Sequence, residues 1–243
     1  MTKMLGSAFD KEDEGDVVIR GRRSPRPLDA ATLILVRRDQ AQPRVLMGKR
    51  SGRHAFMPDK YVFPGGRVDP PDGRTPTLSE LHREEARRLT FRARRQPRAF
   101  ALTAVRETFE ETGLIVGRPC GDLPGRLPPG WDTYFGQGAA PCLKAFQFLG
   151  RAVTPPYRPK RFDARFFLAE AETALIDERP PVDGAELSDL QWVTLSDALA
   201  LDLPSVTRFM LGEVEERLAR PERAGPPAFL RWTRSGHDMS RID

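Results

Sequence analysis

Apolar and polar positions alternate in a way that predicts a mixed set of short strands and a few helices. Residues 30–37 (AATLILVR) form a short apolar run containing β-branched residues, which predicts a buried strand. Residues 44–49 (RVLMGK) read as its partner across a turn at 39–43. Residues 60–63 lead into Pro64-Gly65-Gly66, a sharp break at which the backbone can approach a ligand closely. A helical pattern rich in arginine covers 78–95 and ends at Gln96-Pro97. A second helix is predicted over 98–112, with Gly113 as its C-terminal stop. Residues 114–116 begin a strand, and 117–141, dense in Gly and Pro, read as a long loop. Further strands are predicted at 143–153 and 162–169, around Thr154-Pro155-Pro156, and at 190–193 (LQWV). Helices follow near 196–201 and 205–219, and the tail 221–243 reads as loosely packed. Strands and helices mix without regular βαβ alternation, so the expected class is α/β in the broad α+β sense: a mixed sheet flanked by helices.

Composition narrows the picture. A chain of 243 residues with 39% hydrophobic and 30% charged residues buries one sizeable core. The expected organisation is a loose N-terminal arm over 1–27, one domain over 28–220 and a C-terminal tail over 221–243. No run of eighteen apolar residues is present, which argues against a membrane partner, and the first residues lack the apolar stretch of a secretory signal. Cys120 and Cys142 have no metal-ligand or redox spacing, so the expectation is a reduced, cytoplasmic protein. The net charge of +5 is spread over arginine clusters separated by acidic stretches, with no aromatic interleaving. That pattern disfavours nucleic-acid binding and suits an anionic small-molecule substrate; a homodimer is left open. His54, His82 and His237 are scattered and suggest no shared chemistry.

The chemistry concentrates in Arg106-Glu107-Thr108-Phe109-Glu110-Glu111-Thr112-Gly113-Leu114. At 3.6 residues per turn, Glu107, Glu110 and Glu111 fall within about 100° on one helix face. Leu102, Val105 and Phe109 cluster on the opposite face and can anchor the helix to a sheet. Neighbouring carboxylates repel, by a few tenths of a kcal/mol for an exposed i,i+4 pair, roughly. A cation between them removes that cost, and carboxylate oxygens suit hard Mg²⁺ or Mn²⁺. A solvated acidic helix face is the bland alternative.

This stretch resembles the second half of the Nudix box, Arg-Glu-apolar-x-Glu-Glu-x-Gly-apolar, matching at Arg106, Glu107, Glu110, Glu111, Gly113 and Leu114, with Thr108 at the apolar position. Phe63-Pro64-Gly65-Gly66 resembles the turn that opens the box. The usual box sets an acid six residues after its glycine and the arginine eight residues later. Here Asp72 is six residues after Gly66, and Arg106 follows 34 residues after Asp72. About 73–98 therefore reads as a helical insertion, with Asp72, Glu84 and Glu85 all candidates for the first acid. An interrupted box of this kind is similar to the branch holding the peroxisomal coenzyme A diphosphatases and their bacterial relatives. The resemblance implies a Nudix-type mixed sheet between helices and hydrolysis of a diphosphate linkage in a nucleotide-derived substrate. It implies that Glu107, Glu110 and Glu111, with the Gly66 carbonyl, hold Mg²⁺ or Mn²⁺, and that Arg106 orients Glu107. Glu186, in Asp183-Gly184-Ala185-Glu186, is the loop candidate for the general base. Arg50, Ser51, Phe63, Gly65 and Gly66 are the implied substrate-binding positions, Arg53 a looser one. Coenzyme A or an acyl-coenzyme A is the favoured substrate, its 3′-phosphate facing the basic insertion. ADP-ribose, NADH or a dinucleoside polyphosphate, an RNA cap, and a non-catalytic binding domain are the alternatives.

Overall fold

The computed structural model describes residues 24–52, 57–121, 125–221, 225–233 and 236–243. In chain order the first elements are β1 (Leu28–Arg37), β2 (Arg44–Arg50), β3 (Tyr61–Val62), β4 (Gly65–Arg67), α1 (Arg83–Leu89) and α2 (Pro97–Thr112). Then come β5 (Gly117–Pro119), α3 (Asp132–Phe135), β6 (Ala139–Pro141), β7 (Gln147–Val153), β8 (Phe162–Glu170) and α4 (Ala171–Ala174). The chain closes with β9 (Leu187–Thr194), α5 (Leu195–Ala200), α6 (Ser205–Ala219), β10 (Ala228–Thr233) and β11 (Gly236–Arg241).

The main sheet runs β11-β10-β7-β8-β1-β2-β3, with β4 also pairing β1 and β9 also pairing β2. It is mixed, as expected: β1 runs parallel to β8 and β10 parallel to β7, while the other pairs are antiparallel. Strand β1 explains why its sequence reads as an unbroken apolar run. Ala31, Leu33 and Leu35 point into the core beneath α2, and Ile34 and Val36 into a second core shared with α5 and α6. A strand covered on both faces has no polar side to show. Helix α2 carries the expected stop: Gly113 has φ 71°, and its N–H donates to the Phe109 carbonyl at 2.8 Å. Trp192 packs against the core beneath α2, with the Arg37 guanidinium 4.2 Å above its ring.

Three expectations fail. The helix predicted over 78–95 shrinks to Arg83–Leu89, because Ser79 instead forms a bridge with Cys142 and draws the preceding segment into extended backbone. The stretch 117–141 is not simply loop. It holds α3 and the β5–β6 pair, and buries Trp131, Tyr134 and Phe135 as a cluster of edge-on rings beside Phe109. The tail 221–243 is not loosely packed either. β10 and β11 extend the sheet beyond β7, and Ala228, Phe229, Leu230 and Ile242 are buried. Of the arm expected over 1–27, residues 1–23 lie outside the described residues; Ser24 and Pro25 accept hydrogen bonds from Arg161 at 2.8 Å.

The insertion packs on the α2 side of the sheet. Arg98 closes its base, donating to the Gly73 and Thr75 carbonyls at 3.1 and 3.0 Å. Glu85 accepts from the Phe148 N–H at 2.7 Å, and Arg151, paired with Asp163, caps the Phe91 carbonyl at 2.7 Å. Among the described residues no helix is long and apolar enough to cross a membrane, and Cys120 and Cys142 are not joined in a disulfide.

Phe229 joins the C-terminal hairpin to this assembly, edge-on to Phe91 at 5.9 Å and beneath the Arg151 guanidinium at 4.9 Å. Phe229→Ala should cost about 3–5 kcal/mol in urea-unfolding free energy; a change below about 1 kcal/mol would show that the hairpin is not part of the cooperative core.

Candidate active site

The site begins where β4 meets α2. Gly66 and Gly65 pair with Ala31 and Thr32 of β1. A Cβ at Gly65 would lie 2.5 Å from the Ala31 carbonyl oxygen, and one at Gly66 2.5 Å from the Glu107 carboxyl. Close approach on both sides therefore requires glycine at this bend. The Gly65 N–H donates to Glu111 Oε2 at 2.9 Å, so the backbone of the bend binds the second buried carboxylate directly.

Arg106 joins the bend to the helix. Its Nε donates to Asp72 Oδ1 at 2.9 Å and its Nη2 to Asp72 Oδ2 at 3.1 Å, a forked pair buried from solvent. Nη2 also reaches the Arg67 carbonyl at 3.0 Å, while Nη1 lies 2.9 Å from Glu107 Oε1 and 3.0 Å from Glu110 Oε2. Burial alone would lower the Arg106 pKa, but its hydrogen bonds to Asp72 and the charges of Glu107, Asp72 and Glu110 outweigh that and raise it. Asp72 also accepts from Thr103 Oγ1 at 2.7 Å, Trp131 Nε1 at 3.2 Å and the Asp69 N–H at 2.9 Å. Of the three candidates for the first acid, Asp72 is the one that meets Arg106. Glu84 instead pairs with Arg87 and Arg88, and Glu85 serves β7.

Burial pushes the Glu107 carboxyl up to about 7, partly offset by Arg106, with Glu110 and Glu186 adding repulsion. Burial and the Glu107 charge push Glu111 up to about 8. Burial also raises Glu110, the most exposed of the three, against the pull of Arg106. Arg50 is lowered by burial, and the charges of Glu111, Glu186 and Glu107 oppose that shift, which places all four groups within electrostatic reach of one another. The Glu186 loop is held by Asp183, which accepts from the Asp189 and Leu190 N–H groups at 2.8 and 2.9 Å. It is also held by the Ser51 N–H, which donates to the Glu186 carbonyl at 3.0 Å. Ser51 thus touches the site through its backbone.

Among the described residues, no three His, Cys, Asp or Glu side chains converge closely enough to form a ready-made metal centre. Arg106 engages Glu107 and Glu110 while Glu111 turns to Gly65. The donor chemistry nevertheless suits a hard dication. The Glu107 charge adds to burial in raising the Glu111 carboxyl, Glu110 and Glu186 add to burial at Glu107, and a cation beside the glycine bend would relieve that repulsion.

On the far side of the bend lies a cavity of about 160 Å³, many times the space one water needs. Of the positions implied for substrate binding, Arg50, Phe63, Gly65 and Gly66 line it; Ser51 does not, and Arg53 lies outside the described residues. No residue of 73–98 lines it, so the basic insertion does not face this cavity. Tyr157, Leu230 and His237 do, and the sequence reading had assigned none of them a role. Thr103 and Trp131 were missed as well. The single tryptophan in a Gly- and Pro-rich stretch was the one available signal for a buried anchor there.

Known proteins resemble the chain in both sequence and structure. It is 32% identical over 160 residues to the acyl-coenzyme A diphosphatase NUDT19 of Gallus gallus, an alignment covering 57% of this chain and 37% of that protein. It is 29% identical over 186 residues to the putative nudix hydrolase 7 of Caenorhabditis elegans, covering 68% and 50% respectively. The chain thus spans about half or less of the length of these two relatives. A NUDIX hydrolase from Alicyclobacillus acidocaldarius superimposes with a TM-score of 0.57 and 29% identity, covering 77% of this chain and 90% of the other. No family model matches the chain.

The raised carboxyls carry a stability signature. Glu107 and Glu111 bind protons more tightly folded than unfolded, where such groups titrate near 4.5. Their contribution is therefore full below about pH 4.5 and is lost as pH rises toward 8. Without metal, the melting temperature of Glu111→Gln relative to the unsubstituted protein should rise between about pH 5 and 8. A difference that stays constant across that window would contradict the buried pair.

Proposed function

Starting from a chain that is a member of the Nudix superfamily, related within it to the coenzyme A diphosphatases, we propose that it hydrolyses the diphosphate linkage of coenzyme A or an acyl-coenzyme A in a Mg²⁺- or Mn²⁺-dependent reaction. The observation that supports this most is the Glu107–Glu111 pair at the Gly65–Gly66 bend, beside a cavity that Arg50 lines. The names of the NUDT19 relatives support the choice of substrate.

Glu107, Glu110 and Glu111, with the Gly66 carbonyl, are the groups that would hold the cation. Bound there, it would supply charge neutralisation for the diphosphate and acidify water near neutral pH. Arg106 keeps Glu107 and Glu110 in place, itself fixed by Asp72. Arg50, planar and charged, can fork onto a phosphate where it lines the cavity. Glu186, on a braced loop within electrostatic reach of Glu107 and Glu111, takes the general-base role in this reading. The products are phosphopantetheine (or its acyl form) and a 3′,5′-bisphosphorylated adenosine.

The test is a panel of coenzyme A, acyl-coenzyme A, ADP-ribose, NADH and a dinucleoside polyphosphate, with and without Mg²⁺ or Mn²⁺, products weighed by mass spectrometry. The proposal expects metal-dependent cleavage of the coenzyme A compounds. Intact coenzyme A beside cleaved ADP-ribose would overturn the substrate, and no metal-dependent cleavage of any member would overturn the activity. Asp72→Asn, which leaves every carboxylate of the site in the chain, should lower kcat/KM by about 10- to 100-fold. Glu107→Gln should lose more; a larger loss in Asp72→Asn than in Glu107→Gln would mean that Asp72 does not act through Glu107 alone.

A further inference from the structure

We propose that the cavity beyond the glycine bend receives the uncharged arm of the substrate, a pantetheine-type chain with its acyl group, and that the C-terminal hairpin helps set which acyl groups fit. The proposal rests on the diphosphatase reading above and adds to it where each half of the substrate lies.

Three alanines build the floor. Ala164 of β8 sits in register with Ala30 of β1 and Ala152 of β7, and all three line the cavity. Small side chains on three adjacent strands leave a trough on the face of the sheet that α6 covers. Val206 and Thr207, at the start of α6, close one side, and Leu230 and His237 of the hairpin close the far end. Trp232 buttresses that end without lining it, edge-on to His237 at 4.8 Å and to Tyr157 at 5.1 Å.

Charge decides the occupant. Among the described lining residues, Arg50 is the single Lys, Arg, Asp or Glu, and it lies within electrostatic reach of Glu107 and Glu111, the carboxylates that meet Gly66 and Gly65. A bisphosphorylated adenosine placed in the trough would bring its phosphates among alanines, valine and leucine, with Arg50 the one permanently charged cation among the described lining residues, which is costly. A pantetheine arm carries no charge. Its amides need a few hydrogen bonds, and the polar residues Thr154, Ser205 and Thr207 are among those that line the trough. The diphosphate then stays at the bend, and the nucleotide end lies outside the cavity.

The experiment has two arms. Without metal, calorimetric titration with phosphopantetheine and with adenosine 3′,5′-bisphosphate separates the two halves. Ala164→Leu, which fills the floor, should weaken phosphopantetheine binding at least tenfold and leave the adenosine fragment within twofold, roughly the step expected for losing a well-matched apolar contact. The opposite pattern would put the base in the cavity and overturn the proposal. With Mg²⁺, a ladder of acyl-coenzyme A lengths should show kcat/KM rising by up to about fourfold per methylene until the trough is full. Leu230→Ala should move that limit to a longer chain. Cleavage of coenzyme A with no dependence on acyl length in either protein would also overturn the proposal. No cleavage at all, with phosphopantetheine binding still lost in Ala164→Leu, would remove the diphosphatase reading and keep the cavity assignment. Since Ala164→Leu could disturb the fold, its melting temperature is compared, and the length ladder on the unsubstituted protein and Leu230→Ala stands independently of it.

Discussion

The forked ion pair between Asp72 and Arg106 is the constraint on which the rest of the site depends. Arg106 touches Glu107, Glu110 and the β4 backbone at once, so fixing its guanidinium fixes the relation of the glycine bend to the acidic helix face. Asp72 is buried and takes hydrogen bonds from α2, from the segment around Trp131 and from its own turn. Removing one partner of such a pair leaves a buried charge unmet, at a cost of about 3–5 kcal/mol, so the arrangement is worth more as a positioning device than as a stabilising contact. Arg98 makes it compatible with the insertion by tying the chain back to Gly73 and Thr75, and the two residues meet as though the intervening segment were absent.

The two faces of the sheet have separate tasks. On one face, α2 presents buried carboxylates whose mutual repulsion is held in check by Arg106 and the Gly65 N–H. On the other, small residues beneath α6 leave an apolar trough that the C-terminal hairpin closes. The glycine bend passes between them, and the absence of side chains there lets the two environments share a boundary. A substrate with a highly charged centre and a neutral arm fits that division better than one charged throughout.

What could be read in advance follows from how local each signal is. The acidic motif was legible because one turn of α2 sets Glu107, Glu110 and Glu111 by spacing alone, and Gly113 marks its end through a left-handed φ. The strands of β1, β7 and β8 were legible from apolar runs. Asp72 could not be chosen over Glu84 and Glu85, because 34 residues separate it from Arg106 and only tertiary contact shows the pairing. Trp131 and its neighbours were hidden by the surrounding Gly and Pro, whose turn signal outweighs one buried helical turn. The hairpin was hidden because β10 buries only the short run Ala228, Phe229 and Leu230, on both faces, and the polar residues of β11 follow it. The cavity is drawn from widely separated stretches of chain, and its alanines carry no signal until strand register aligns them.

The central claim is that two neighbouring glutamates of α2, set against a glycine bend, capture a hard dication. Titrating Mn²⁺ into the metal-free protein while following the signal of free aqueous ion by electron paramagnetic resonance measures this directly. The account predicts that the unsubstituted protein removes Mn²⁺ from solution, that Mg²⁺ competes it off, and that Glu107→Gln with Glu111→Gln together abolish uptake. Uptake by the doubly substituted protein at an unchanged affinity would contradict it.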